Sequence, residues 1–384
     1  MVATATTNGI QNDWIVTVRN AAVVVVVLTL LHRSSSFNAW LAAEYHRWHA
    51  VINHRLFEGV VAVATFATAG FAFSLVEAAG LAGTLRTRRL SPLVVEQDAV
   101  TTDRLSASRE VLIASSLHSG ASPIVILVET LRKHSRNVAQ FLPSSATKEF
   151  AFWLVVNIVL YLGLIDVSQR LLGDSLDSLH FAPDEPPSIW RMSVEVCFSI
   201  CAYDFLFWWI HRAWHQHSRP PSLYPGVGKD TDVGQDVVSL LWHLPSRLFD
   251  TLVTPLGRFH ARHHDYYQHT DAPLHVMNTF HHHFLDALAQ VGINIIVQQI
   301  PLAFLFPGPR HKLSKAVHNV LVTYLLVEAH SGLDAPFMSH RLFPAVFGGS
   351  VRHQVHHQLG VVYFHQFFKY LDDWFYSSKD TKSK

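Results

Sequence analysis

Residues 190–215 read WRMSVEVCFSICAYDFLFWWIHRAWH. From Trp190 to Ile210 the stretch is apolar except for Arg191, Glu195 and Asp204. It is long enough to cross the hydrocarbon of a bilayer as one helix. It ends on His211 and His215, which lie four apart and therefore on one helical face, one turn from each other. Both imidazoles can reach one metal ion. Asp204 lies seven residues before His211 on the same face, where its carboxylate is expected to accept the second ring N–H of a ligand imidazole.

Outward from this stretch the pattern repeats. Residues 260–264 read HARHH and residues 353–357 read HQVHH. Positions i, i+3 and i+4 also share a helical face. Three clusters thus supply His211, His215, His260, His263, His264, His353, His356 and His357. One zinc is satisfied by four ligands, so eight imidazoles point to two ions. Neutral nitrogen donors suit iron, zinc, copper or nickel. The segment EAHSGLD at 328–334 places His330 at the end of an apolar helix, on the same membrane face, and adds it as a ligand. Its competing role is a helix cap, because Ser331-Gly332 reads as a stop signal. In HHHFLD at 281–286, His283 is expected to bind metal or to support a ligand, with Asp286 supporting a ligand as well. His281 and His282 read as solvated or bridging. His340, in SHRLFP, is expected to hydrogen-bond a ligand.

Composition agrees with a buried, metal-rich chain. There are 27 histidines against 30 Lys+Arg and 29 Asp+Glu, and twenty of the 27 fall from His211 onward. Of the 384 residues 49% are hydrophobic and 15% charged, where an average soluble chain has about 25% charged. Disorder is excluded, and a net charge of +1 argues against a nucleic-acid binder. Cys197 and Cys201 sit in an apolar run and read as two buried thiols, neither a disulfide scaffold nor a zinc ribbon. The polar start MVATATTNGIQND does not read as a signal peptide.

Further apolar runs cover 14–31, 59–76, 150–165, 287–306 and 316–327, while Val111–Val128 either spans or lies flat. The expected fold is an all-α integral membrane protein with about four to six transmembrane or membrane-embedded helices. The basic segment 84–149 belongs on the cytosolic side and the acidic segment 173–189 opposite. The helix from Trp190 then returns to the cytosol. The pair 287–306 and 316–327, joined through FPGPR at 306–310, reads as an out-and-back hairpin. A cytosolic-face helical cap then holds every histidine cluster after 210.

DFLFWWIHRAWH at 204–215, HARHH at 260–264 and HQVHH at 353–357 together resemble the three-box pattern of the membrane-bound fatty acid hydroxylase/sterol desaturase superfamily. The likeness covers residues 190–376. EAHSGLDAPFMSHRLFPAVFGGSVRHQVHH at 328–357 is most similar to the cholesterol 25-hydroxylase and C-4 methylsterol oxidase branches, and VYFHQFFKYLDDWF at 362–375 fits too. Two departures stand out. Between His215 and His260 lie 44 residues (216–259) where the family has a short link, and HFLD at 283–286 replaces its H-P-x-E.

The resemblance implies a catalytic domain at 190–376, preceded by a membrane region at 1–189 without a motif and followed by a polar tail at 377–384. It implies an endoplasmic reticulum enzyme with two irons and O₂, hydroxylating a sterol or other long-chain lipid that enters from the bilayer. No Rossmann glycine fingerprint and no HPGG element is present. Electrons are therefore expected from cytochrome b5 or an NAD(P)H-dependent reductase. Lipid desaturation on the same site is the alternative. A histidine-rich metal transporter is the alternative of another class, and would carry its ligands near mid-bilayer. A zinc hydrolase would need an acid or base such as HExxH, which is absent.

Overall fold

The computed structural model describes residues 3–76, 152, 154–167, 170, 186–218, 255–261, 263–264, 274–299, 310–360 and 362–380. Helix α1 spans Ala3–Arg33, α2 Ser35–Arg47, α3 His49–Ile52 and α4 Phe57–Val76. Helix α5 covers Leu154–Val167 and α6 covers Ile189–Ser218. Residues 255–261 and 263–264 are helical (α7). A 3₁₀ turn at Val276–Phe280 precedes α8 at Phe284–Gln299 and α9 at Lys312–His330. Helices α10 (Ser339–Leu342), α11 (Gly349–Leu359) and α12 (Tyr370–Asp380) follow. Among the described residues there is no strand, only an isolated bridge between Phe347 and Phe368.

The architecture is all-α, and among the described residues three helices are long and apolar enough to cross a membrane: Asn12–Arg33, Phe57–Val76 and Ile189–His215. Helix α5 is a shorter apolar helix. The two runs expected to form an out-and-back hairpin carry α8 and α9, neither of which is among the helices apolar and long enough to cross a membrane, and residues 300–309 between them lie outside the described residues. Also outside them are the basic segment 84–149 with Val111–Val128, the acidic residues Asp174 to Glu185, and 219–254 of the long insert. Residues 377–380, read as polar tail, continue α12.

Helix α9 is central and packs against α4, α6, α11 and the 3₁₀ turn. From α4 it receives a face of Ala62, Phe66, Ala69 and Phe73, spaced by three or four residues. Small residues let α4 approach its neighbours closely: a Cβ on Gly59 would stand 2.8 Å from Leu162 Cδ2 of α5. Phe66, Ala69 and Phe73 join Val327 of α9, Leu333, Ala335 and Met338 in one core cluster.

On α6 the buried stripe runs Val196, Ile200, Tyr203, Phe207, Trp214 and packs on Ile293 and Val297 of α8 and Val322 of α9. His211 lies on this stripe between Phe207 and Trp214, so the packing that fixes α6 also fixes the ligand. Cys197 and Cys201 face the other way and are exposed, which corrects their reading as buried thiols. An apolar run crossing a membrane has an outward face as apolar as its inward one, and composition alone does not separate the two.

Helix α9 stops at His330 because Gly332 turns left-handed, with φ of 65°. A Cβ there would run into the Leu274 carbonyl. The Ser331 hydroxyl donates to the Glu328 carbonyl at 2.7 Å, closing the last turn.

Candidate metal centre

Five histidines from three helices converge. His211 and His215 end α6, His260 and His264 come from α7, and His356 from α11. One ligand-type nitrogen from each lies within 4.8 Å of all the others, and all five residues are buried. His211 Nε2 is 2.9 Å from His260 Nε2, 3.2 Å from His215 Nε2 and 3.1 Å from His356 Nε2. His264 Nε2 is 3.2 Å from His260 Nε2. A second group joins His263, His330 and His357 under the same spacing. His353 adjoins it, its Nε2 3.0 Å from His330 Nε2 and 3.1 Å from His357 Nε2.

The box spacing shows how one short helix serves two groups. In HARHH, positions i and i+4 (His260, His264) face the first group and i+3 (His263) the second. In HQVHH the roles invert: i+3 (His356) joins the first group and i and i+4 (His353, His357) the second. The groups touch where His264 and His357 stack at 4.3 Å between ring centroids.

Many of the opposite ring nitrogens are tied down. His211 Nδ1 donates to the Phe364 carbonyl at 2.9 Å, His356 Nδ1 to Val362 at 2.8 Å, His330 Nδ1 to Leu326 at 2.8 Å and His263 Nδ1 to His281 at 3.0 Å. His260 Nδ1 donates to Asp286 Oδ2 at 3.0 Å. A carbonyl or carboxylate can only accept, so each Nδ1 carries its proton and each neutral ring turns a lone pair outward from Nε2. Such lone pairs crowded together repel, and a cation between them converts the repulsion into ligation. The distances fit this reading. Two nitrogens held at right angles, about 2.0–2.1 Å from one ion, stand about 3.0 Å apart.

Electrostatics act in the same direction. Burial, reinforced by neighbouring imidazoles, pushes His263, His264, His353, His356 and His357 well below the usual imidazole range. Burial lowers His330 to about 4. The rings are therefore neutral and able to bind metal at physiological pH. Burial alone would raise Asp286, but His260 beside it outweighs this and holds the carboxyl below its ordinary range.

Several expected positions differ. Asp204 touches no ligand imidazole. Its Oδ1 accepts the backbone N–H groups of Phe367 at 2.6 Å and Phe368 at 3.2 Å. It thereby holds the segment whose Phe364 carbonyl takes the His211 proton, so its effect on His211 is indirect. His283 joins neither group. Its ring stacks on Phe259 at 4.0 Å, and its Nδ1 accepts the Leu285 N–H at 3.3 Å at the start of α8. His282, read as solvated or bridging, is the buried member of that triplet, 5.9 Å from His263 between ring centroids. His340 reaches no ligand. It donates to Asp334 at 3.0 Å, in a cluster completed by Arg341 at 2.6 Å.

Asp372 escaped sequence reasoning altogether. It is fully buried and accepts Trp208 Nε1 at 2.8 Å and the backbone N–H groups of Phe364 at 3.2 Å and His365 at 3.0 Å, as well as the His365 ring. Its only sequence signal was an acid beside apolar residues in FFKYLDDWF.

Beside the histidines lies a partly open apolar cavity of about 90 Å³, walled by α4, α5, α8 and α9 through residues such as Ala62, Ile158, Val291 and Val322. A smaller hollow of about 20 Å³ is lined by His211, His260, His263, His330 and their neighbours. Thr279, His282, Gln290 and Leu326 line both, so the apolar space abuts the histidine groups.

Comparison with known proteins gives partial likenesses. The chain is 41% identical over 49 residues to the cholesterol 25-hydroxylase-like protein of Danio rerio, covering 12% of this chain and 20% of that protein. It is 30% identical over 133 residues to the cholesterol 25-hydroxylase-like protein 2 of Danio rerio, covering 34% of this chain and 42% of that one. The matched segments thus span less than half the length of these relatives. No family model matches the chain, and no solved structure matches it.

Proposed function

We propose that this protein is a membrane-bound di-iron, O₂-dependent monooxygenase that hydroxylates a sterol or other long-chain lipid. The observation that carries the reading is the junction: two buried groups of imidazoles, lone pairs inward, abut an apolar cavity walled in part by the apolar helices α4 and α5. The partial likeness to hydroxylase-like proteins supports it.

The donor set fits iron, since imidazole is an iron ligand. His211, His215, His260, His264 and His356 would hold one ion. His263, His330, His353 and His357 would hold the second. A bound iron pair supplies O₂ reduction and the power to take hydrogen from an unactivated C–H bond. The chain supplies the rest. Its carbonyls and Asp286 fix the ring tautomers. The walls of the cavity exclude water and aim the substrate carbon at the histidines. The lipid C–H, O₂, two electrons and two protons balance against the alcohol and water formed, so an external reductase or cytochrome b5 is the proposed electron source.

Residues 190–376 form the proposed catalytic unit, while the preceding region contributes α4 and α5 to the cavity wall. The basic segment 84–149 supports placing the histidines at the cytosolic face of the endoplasmic reticulum. His211, His215 and His330 sit at the ends of long helices and the other proposed ligands on the short helices α7 and α11, which disfavours a transport pathway through mid-bilayer. Incubating the iron-loaded protein with a reductase, NAD(P)H and extracted membrane lipids tests the reading. A lipid-dependent uptake of O₂ with a new alcohol is expected. Its absence from a preparation with full iron content would overturn the activity.

A further inference from the structure

Beyond the polar residues it shares with the histidine-lined hollow, the cavity has further polar lining. Asn294 of α8 lines it and is 8% exposed. Its amide donates to Asn319 Oδ1 at 2.9 Å and accepts from His318 Nε2 at 2.7 Å. Gln298 Nε2 also donates to Asn319 Oδ1, at 3.0 Å. Four buried polar side chains thus cluster between α8 and α9. Burying such groups is costly unless they are hydrogen-bonded. The set is also not self-satisfied. Gln298 Oε1 and His318 Nδ1 have no hydrogen-bond partner among the described residues. An amide has two N–H donors and two acceptor lone pairs, and the bonds named above use one of each on Asn294.

The distance to the histidines follows from helix rise. Asn294 lies eight residues beyond Asp286, which bonds His260, about 12 Å along α8. Its partner Asn319 lies eleven residues before His330, about 17 Å along α9. We propose that Asn294, held by His318 and Asn319, hydrogen-bonds a hydroxyl on the lipid substrate. The cavity then presents for reaction a carbon about 12–17 Å from that hydroxyl. This substrate class rests on the oxygenase reading only for what happens at the far end; hydroxyl recognition stands by itself.

Binding measurements on the full chain in detergent test it. The probes are cholesterol against its deoxy counterpart cholestene, and hexadecanol against hexadecane. At least one hydroxyl lipid is expected to bind about tenfold or more tightly than its deoxy partner. Asn294→Leu is expected to erase that preference with iron content unchanged, and Asn294→Ala is the milder second variant. Equal binding within both pairs by the unaltered protein would overturn the proposal, with no variant needed. So would a preference that survives in a folded Asn294 variant. Preference without any turnover would instead contradict the oxygenase reading alone.

Discussion

Asp286 shows how a single residue sets the chemistry of its neighbours. Its carboxylate accepts from His260 Nδ1 at 3.0 Å and from Gln290 Nε2 at 3.0 Å, linking a proposed ligand to the cavity wall. Removing such a partner weakens metal binding about 10–100-fold. Asp286→Asn is expected to show that loss in an iron titration. Replacing His353 with Ala is expected to deplete iron, while His283→Ala is expected to leave it in place, because His283 stacks on Phe259. Metal analysis of the two variants side by side checks this. Asp334 carries a pH dependence. Burial would raise its carboxyl, but the His340 and Arg341 hydrogen bonds overcome this and hold it below the ordinary carboxylate range. A carboxyl lowered on folding stabilises above its unfolded pKa and loses that contribution as pH falls through the folded one. Asp334→Asn should therefore lower the melting temperature at pH 7, and its gap from the unaltered protein should narrow below about pH 4.

At the level of elements, the segment after α11 contributes no imidazole to either group but holds two of them. The Phe364 and Val362 carbonyls take the His211 and His356 protons, and Asp204 and Asp372 hold the segment in place. Asp372→Ala is expected to reduce iron content although it removes no ligand. Gly332→Ala should destabilise the end of α9 by about 1–3 kcal/mol, read as a lower unfolding temperature, because Gly332 is left-handed and packed on Leu274. These two cases mark what the sequence makes legible. Box spacing and helix ends are local, so the faces bearing His211, His260 and His356 could be read directly. Helical phase says which way Asp204 points but not what lies across from it, and there it meets Phe367 rather than a ligand. In the 281–283 triplet no helical period applies, so His282 and His283 could not be told apart. Asp372 meets Trp208 across 164 positions of chain, a contact no local pattern encodes.

For the whole molecule, the arrangement is a division of labour. Helices α4, α5, α8 and α9 line the cavity, and the ends of α6 and α9 with the short helices α7 and α11 carry the histidines. The most direct measurement is iron per chain in protein purified from iron-replete cells, repeated with His263, His264, His356 and His357 changed singly to Ala. The two histidine groups predict close to two irons per chain, and less in every variant, with lipid oxidation lost in step. Four variants that keep full iron and activity, or an unaltered chain that binds no iron, would contradict a di-iron centre.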